Sequence, residues 1–138
     1  MKKIILGLLL LVSSTLFSQT SYRALMFQHA YKNEITDKYV WEKSQNVNLI
    51  ITLNKSVVTI ENEANTKLTC YEVYSEERDV DDDGDSYTLK IWRAKDKDGL
   101  KCLFSMMIYD SPNVTYNVYS ILYSDIAFRY YVKRTSIQ

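Results

Sequence analysis

The chain is predicted to be all-β, a single antiparallel meander of eight or nine short strands that closes into a small, calycin-like barrel or curls into a sandwich. Three observations carry this. Apolar residues alternate with polar ones over two long runs, Tyr87–Trp92 and Leu100–Tyr109, joined by Asp96-Lys97-Asp98-Gly99. Alternation is the period of a strand with one buried face. Glycine and proline are scarce and sit only where turns are expected, at Gly84, Gly99 and Pro112 once the N-terminal run is set aside. Tyrosine is frequent, with 12 copies in 138 residues, and with Val, Ile, Thr and Phe it suits a pleated, half-buried surface.

The first eighteen residues read as an export signal. Lys2 and Lys3 supply a positive start, Ile4–Val12 an apolar run, and Ser13–Ser18 a polar end before Gln19. The run is too short to cross a bilayer as a helix, which takes about 20 residues. Cleavage is expected between Ser18 and Gln19, leaving residues 19–138 as one domain. No cysteine lies near that cut, so no lipid anchor is expected there. The product is expected in a periplasm or outside the cell, with no membrane insertion of the mature chain.

Along that domain, Thr20–Tyr31 is expected as a first strand, without a clear polar face. Asn33 and Glu34 mark a turn, and Lys38–Lys43 forms a short strand with Tyr39 and Trp41 on one face. Taking Asn54-Lys55 as a two-residue turn pairs Leu53 with Ser56, Ile51 with Val58 and Leu49 with Ile60. Thr66–Ser75 is a fifth strand with both faces partly covered, and the acidic stretch Glu76–Asp85 is a loop. After the central hairpin, Asp110–Asn113 is a turn. A turn at Ser124-Asp125 pairs Tyr123 with Ile126, Ile121 with Phe128 and Tyr119 with Tyr130.

Composition excludes some partners. The chain holds 17 basic and 17 acidic residues, and loss of Lys2 and Lys3 leaves 15 against 17, a formal charge of −2. With no basic excess, nucleic acid is not an expected partner.

Few motifs carry chemistry. Asp79, Asp81, Asp83 and Gly84 copy the opening of a calcium loop, but its twelfth position is Lys90, a cation, where a bidentate glutamate belongs. A solvated acidic turn is the favoured reading. Cys70 and Cys102 are the only cysteines, and an oxidising compartment permits a bridge. In a meander they lie two strands apart, about 9.5 Å, beyond the roughly 7 Å that a disulfide spans between Cα atoms. Free buried thiols are favoured, with the bridge left open. His29 is the only histidine, and no nucleophile elbow accompanies it. No cofactor and no catalytic residue is expected.

Outward aromatics such as Tyr71, Tyr131 and Trp92 suit a sugar ring or a protein partner, although burial is favoured for Trp41 and Trp92. The run Asp96–Leu103, the preceding Asp81–Asp85 and the tyrosine-rich closing strands resemble a group of short exported proteins of Bacteroidetes-type Gram-negative bacteria. That resemblance implies a signal peptide and a compact antiparallel β domain, and carries no active-site residue across.

The leading expectation is a non-enzymatic exported domain that binds a protein partner or a small ligand. A second is a calycin-like barrel carrying an apolar molecule in a cavity lined by Phe104, Met106, Ile108, Ile121 and Phe128. A third is a small hydrolase of envelope polymers, which requires His29 or paired carboxylates to converge in a cleft.

Overall fold

In a computed structural model, residues 16–137 are described. They form nine strands: β1 (Phe17–Lys32), β2 (Tyr39–Trp41), β3 (Gln45–Lys55), β4 (Val57–Ile60), β5 (Thr66–Val80), β6 (Ser86–Asp96), β7 (Lys101–Tyr109), β8 (Tyr116–Leu122) and β9 (Ile126–Lys133). Strands β1 and β3–β9 pair in sequence, and β9 pairs back onto β1. The result is a closed eight-stranded antiparallel barrel, which removes the exposed edges of an open sheet. β2 lies outside this circuit and extends β1 beyond β3, with Ala30 opposite Trp41. Most of the expected export signal lies outside the described residues. Its last part does not: β1 begins at Phe17, before the expected cut.

Inward-facing residues fill the middle of the barrel. Ile51 and Leu53 on β3, Val58 and Ile60 on β4, Leu68 on β5, Trp92 and Ala94 on β6, Phe104 on β7, Tyr119 and Ile121 on β8, and Tyr130 and Val132 on β9 form one buried cluster. Its rings meet edge-on or tilted, as between Phe104 and Tyr119 at 6.0 Å and between Trp92 and Phe104 at 5.8 Å. The aromatic quadrupole favours such geometry over a face-to-face stack.

Two hairpins share one turn chemistry. In β6–β7, Asp96 Oδ1 accepts the N–H groups of Asp98 and Leu100, both at 2.9 Å, and Gly99 stands at φ +84°. In β5–β6, Asp81 Oδ1 accepts those of Asp83 at 3.0 Å and Asp85 at 2.9 Å, and Gly84 stands at φ +85°. In both, glycine takes the left-handed position that other residues adopt only with strain, while aspartate ties down the loop amides. The acidity of residues 81–85 is therefore largely turn chemistry. β5 also runs on to Val80, so Glu76–Val80 is strand, in contrast to the loop expected there.

Two other expectations need correction, and one gains its cause. The β3–β4 register pairs Leu53 with Val58 and Ile51 with Ile60, two residues away from that expected. Lys55 takes a positive φ of 55°, so the bend falls one residue later than Asn54-Lys55. A slip of two preserves the inward face, which is why the pattern did not detect it. β1 lacks a polar face because its pairing with both neighbours shifts between Ala24 and Met26. Ala24 and Phe27 both join the core as a result. Leu100 and Ile108, expected on the buried face of β7, are 60% and 38% exposed at its ends.

Side chains secure the loops. Arg134 donates to the carbonyls of Ser111, Val114 (3.0 Å) and Tyr109 (2.7 Å), clamping the β7–β8 connection around Pro112. Lys97 donates to the carbonyl of Ala64, which joins two loops at the opposite end of the barrel.

Candidate functional site

The site follows from a defect in β5. Opposite β6 this strand loses step twice, between Cys70 and Glu72 and between Val73 and Ser75. Each bulge leaves one residue unpaired, and both are tyrosines. A bulged residue leaves the ladder and its side chain is re-aimed. Tyr71 and Tyr74 accordingly stand 47% and 53% exposed on the outer surface, while Cys70 and Val73 stay against the core.

β6 supplies a cation for each ring. Lys95 Nζ lies 5.7 Å from the centroid of Tyr71, and Arg93 Cζ lies 4.8 Å from that of Tyr74. Such contacts are worth about 0.5–1 kcal/mol at exposed sites and hold a ring in place without covering both faces. Arg93 also pairs with Glu72, Nε to Oε2 at 3.4 Å.

Tyr71, Tyr74 and Arg93 border a cleft of about 510 Å³, whose wall continues through Lys101, Leu103, Leu122 and Tyr39. Its far edge is braced: Tyr39 donates its hydroxyl hydrogen to the carbonyl of Tyr123, tying β2 to the β8–β9 hairpin. The Tyr123 hydroxyl in turn donates to Asp96 Oδ2 at 2.8 Å. The cleft thus joins two exposed rings to a braced rim. It combines aromatic surface, two leucines and the cations Arg93 and Lys101.

Protonation states around this rim are set locally. Partial burial acts to raise the Asp96 carboxyl, but the amides of Leu100, Asp98 and Gly99 and the Tyr123 hydroxyl outweigh it, and its pKa is lowered. Burial, then the hydrogen bond to Asp96, pushes the Tyr123 phenol up. Burial pushes Cys70 to about 12 and Cys102 to about 11, so both thiols are held protonated at neutral pH.

The residues singled out from the sequence fall in several places. Cys70 and Cys102 are free and buried, and both pair with Ala94, one from each side. Phe104, Met106 and Ile121 are buried in the core, Phe128 packs partly against it, and Ile108 sits at the exposed end of β7. None of these five lines the 510 Å³ cleft. Asp79 pairs with Tyr87 in the sheet, Asp81 is engaged by the turn amides, and Asp83 is exposed. Among the described residues, no three His, Cys, Asp or Glu side chains gather as a metal-holding group.

His29 is ringed by aromatics, 6.1 Å from Phe27 and 5.5 Å from Tyr31 between ring centres. Trp92 is not outward but 3% exposed inside the barrel. Trp41 remains on the outside, with the Arg129 guanidinium 3.7 Å from its ring. Tyr131 donates to Gln28 Oε1 at 2.7 Å. Of the outward aromatics offered from sequence as ligand contacts, Tyr71 alone belongs to the cleft. Tyr74, Arg93 and Tyr39 were missed.

A signal for them existed. Inward residues of β5 fall at Leu68, Cys70 and Val73, a spacing of two and then three, and the longer step marks an extra residue. The barrel defines the class of fold, and beyond it no family model, curated protein or solved structure matches the chain.

Proposed function

We propose that this chain is a non-enzymatic, exported binding domain that engages a protein partner through the outer cleft between β5 and β8. The observation that carries the proposal is the pair of bulges in β5, three residues apart, each placing a tyrosine beside a cation at the rim of the same cleft. Exposed tyrosine and arginine are the side chains that most often dominate binding between proteins, because they offer large rigid area together with polar ends. The middle of the barrel, by contrast, is occupied by its own side chains.

Charge narrows the partner. Arg93, Lys95 and Lys101 stand in or beside the cleft, against the carboxylates of Glu72 and Asp96. The fitting ligand is a protein segment carrying carboxylates next to apolar side chains, so that the acids meet the cations and the apolar groups meet Tyr74, Leu103 and Leu122.

Selection of a displayed peptide library on the mature protein tests this. Enriched peptides are expected to be acidic and apolar, and to lose at least tenfold in affinity against Tyr74→Ala and against Arg93→Ala. Enrichment of peptides indifferent to both substitutions, or binding of neutral sugars instead, would overturn the assignment.

A further inference from the structure

A second site lies at the mouth of the barrel away from the Asp96–Leu100 turn, and it is independent of the outer cleft. Phe17 opens β1 there, opposite Lys55. Its ring lies 5.0 Å from that of Trp92 and 6.3 Å from that of Phe104, edge-on to the latter at 89°. Tyr22, Leu53, Lys90, Trp92 and Met106 continue the wall of this mouth, around a space of about 270 Å³. Trp92 is 3% exposed, and its indole N–H is the one buried side-chain donor without a hydrogen-bond partner among the described residues. An unmet buried donor is costly unless something accepts from it.

The three rings differ in one respect. Trp92 and Phe104 belong to the middle of the chain, whereas Phe17 lies on the leader side of the expected cut between Ser18 and Gln19. Hydrolysis of that amide adds water across it, leaving a carboxylate on Ser18 and a free amine on Gln19, and the departing fragment carries the Phe17 ring with it. We propose that Phe17 is a removable plug, and that processing uncovers a slot against the Trp92 and Phe104 rings for a small planar aromatic ligand bearing a hydrogen-bond acceptor. Two observations choose that chemistry. The group already seated in the slot is a phenyl ring, held by edge-on and tilted contacts. The donor beside it is the unpartnered indole N–H of Trp92.

The test uses 1-anilinonaphthalene-8-sulfonate, an aromatic acid, as the probe. It is titrated into the exported protein, with its first residue determined, and into a chain that begins at Leu16 and so retains Phe17. Both carry Trp41→Phe, so that energy transfer to the probe reports on Trp92. The exported form is expected to begin at Gln19 and to bind one equivalent at least tenfold more tightly than the longer chain. Phe17→Ala in the longer chain is expected to restore that binding. Should the shortened form fold poorly, the comparison of the longer chain with its Phe17→Ala variant decides the matter alone. Retention of Phe17 in the exported protein, or equal binding with and without the ring, would overturn the proposal.

Discussion

β5 and β7 flank the same strand, β6, and give it two unlike neighbours. β7 matches β6 residue for residue over nine positions, from Lys95 opposite Lys101 to Tyr87 opposite Tyr109. Cys102, Phe104 and Met106 consequently all turn inward and are buried. β5 falls out of step twice and puts Tyr71 and Tyr74 on the surface. The difference teaches how this barrel divides its labour. Unbroken alternation builds the core, and interruption of it places side chains on the outer surface. Regular pairing keeps β7 in its ladder along its length, with Lys101 and Leu103 reaching the cleft wall, while the bulged strand surrenders ladder hydrogen bonds to gain two exposed rings.

The strongest contrast between the two strands is energetic. Phe104→Ala removes a ring that touches Trp92 and Tyr119, and is expected to cost about 3–5 kcal/mol. Tyr74→Ala gives up one exposed cation–π contact and is expected to cost no more than about 1 kcal/mol. Denaturant unfolding of the two variants measures both. Similar losses would erase the distinction between a structural and a presenting strand.

Alkaline titration sharpens the same contrast through tyrosine. Burial pushes the Tyr130 phenol to about 12, with a hydrogen bond from Asn62 opposing, and burial also raises Tyr119. A phenol that ionises at 10.0 in the unfolded chain and near 12 in the folded one contributes stability that is full below pH 10 and is lost as pH rises toward 12. For Tyr130 alone the loss is on the order of 2 kcal/mol. Ultraviolet titration is expected to show the buried rings ionising only as the barrel opens, well after the exposed ones.

The smallest effect is expected at the rim. Asp96 has a lowered pKa, so its contribution is present above the ordinary value of 3.8 and fades as pH falls through the folded value. Asp96→Asn weakens its hydrogen bonds to the turn amides and to Tyr123, at about 1 kcal/mol near neutrality after allowance for its exposure to solvent. The gap between variant and parent is expected to close below pH 3.8, as followed by thermal unfolding in a pH series.

Much of the barrel was legible because alternation and turn chemistry are local. The β8–β9 register came out as expected, with Ile121 opposite Phe128 and Tyr119 opposite Tyr130, since the two-residue turn at Ser124-Asp125 fixes the pairing. The β3–β4 register did not. Alternation specifies which face a residue takes but not which partner it meets, and Lys55 in a left-handed conformation moved the bend. The cleft was harder to read because it depends on residues that interrupt the pattern. Tyr71 was noticed as an exposed aromatic. Tyr74 and Arg93 acquire meaning only when β6 lies beside the second bulge, and Tyr39 only when β2 reaches the β8–β9 hairpin. Closure of β9 onto β1 is likewise a long-range pairing that no short window of sequence contains.

The most direct measurement of the division between outer cleft and barrel interior is a map of amide and side-chain NMR shifts as an enriched acidic peptide is added to the protein. Changes concentrated at Tyr71, Tyr74, Arg93, Leu103 and Leu122, with Phe104 and Tyr119 unmoved, are the expected result. Changes centred on the interior residues, or spread evenly around the barrel, would contradict it.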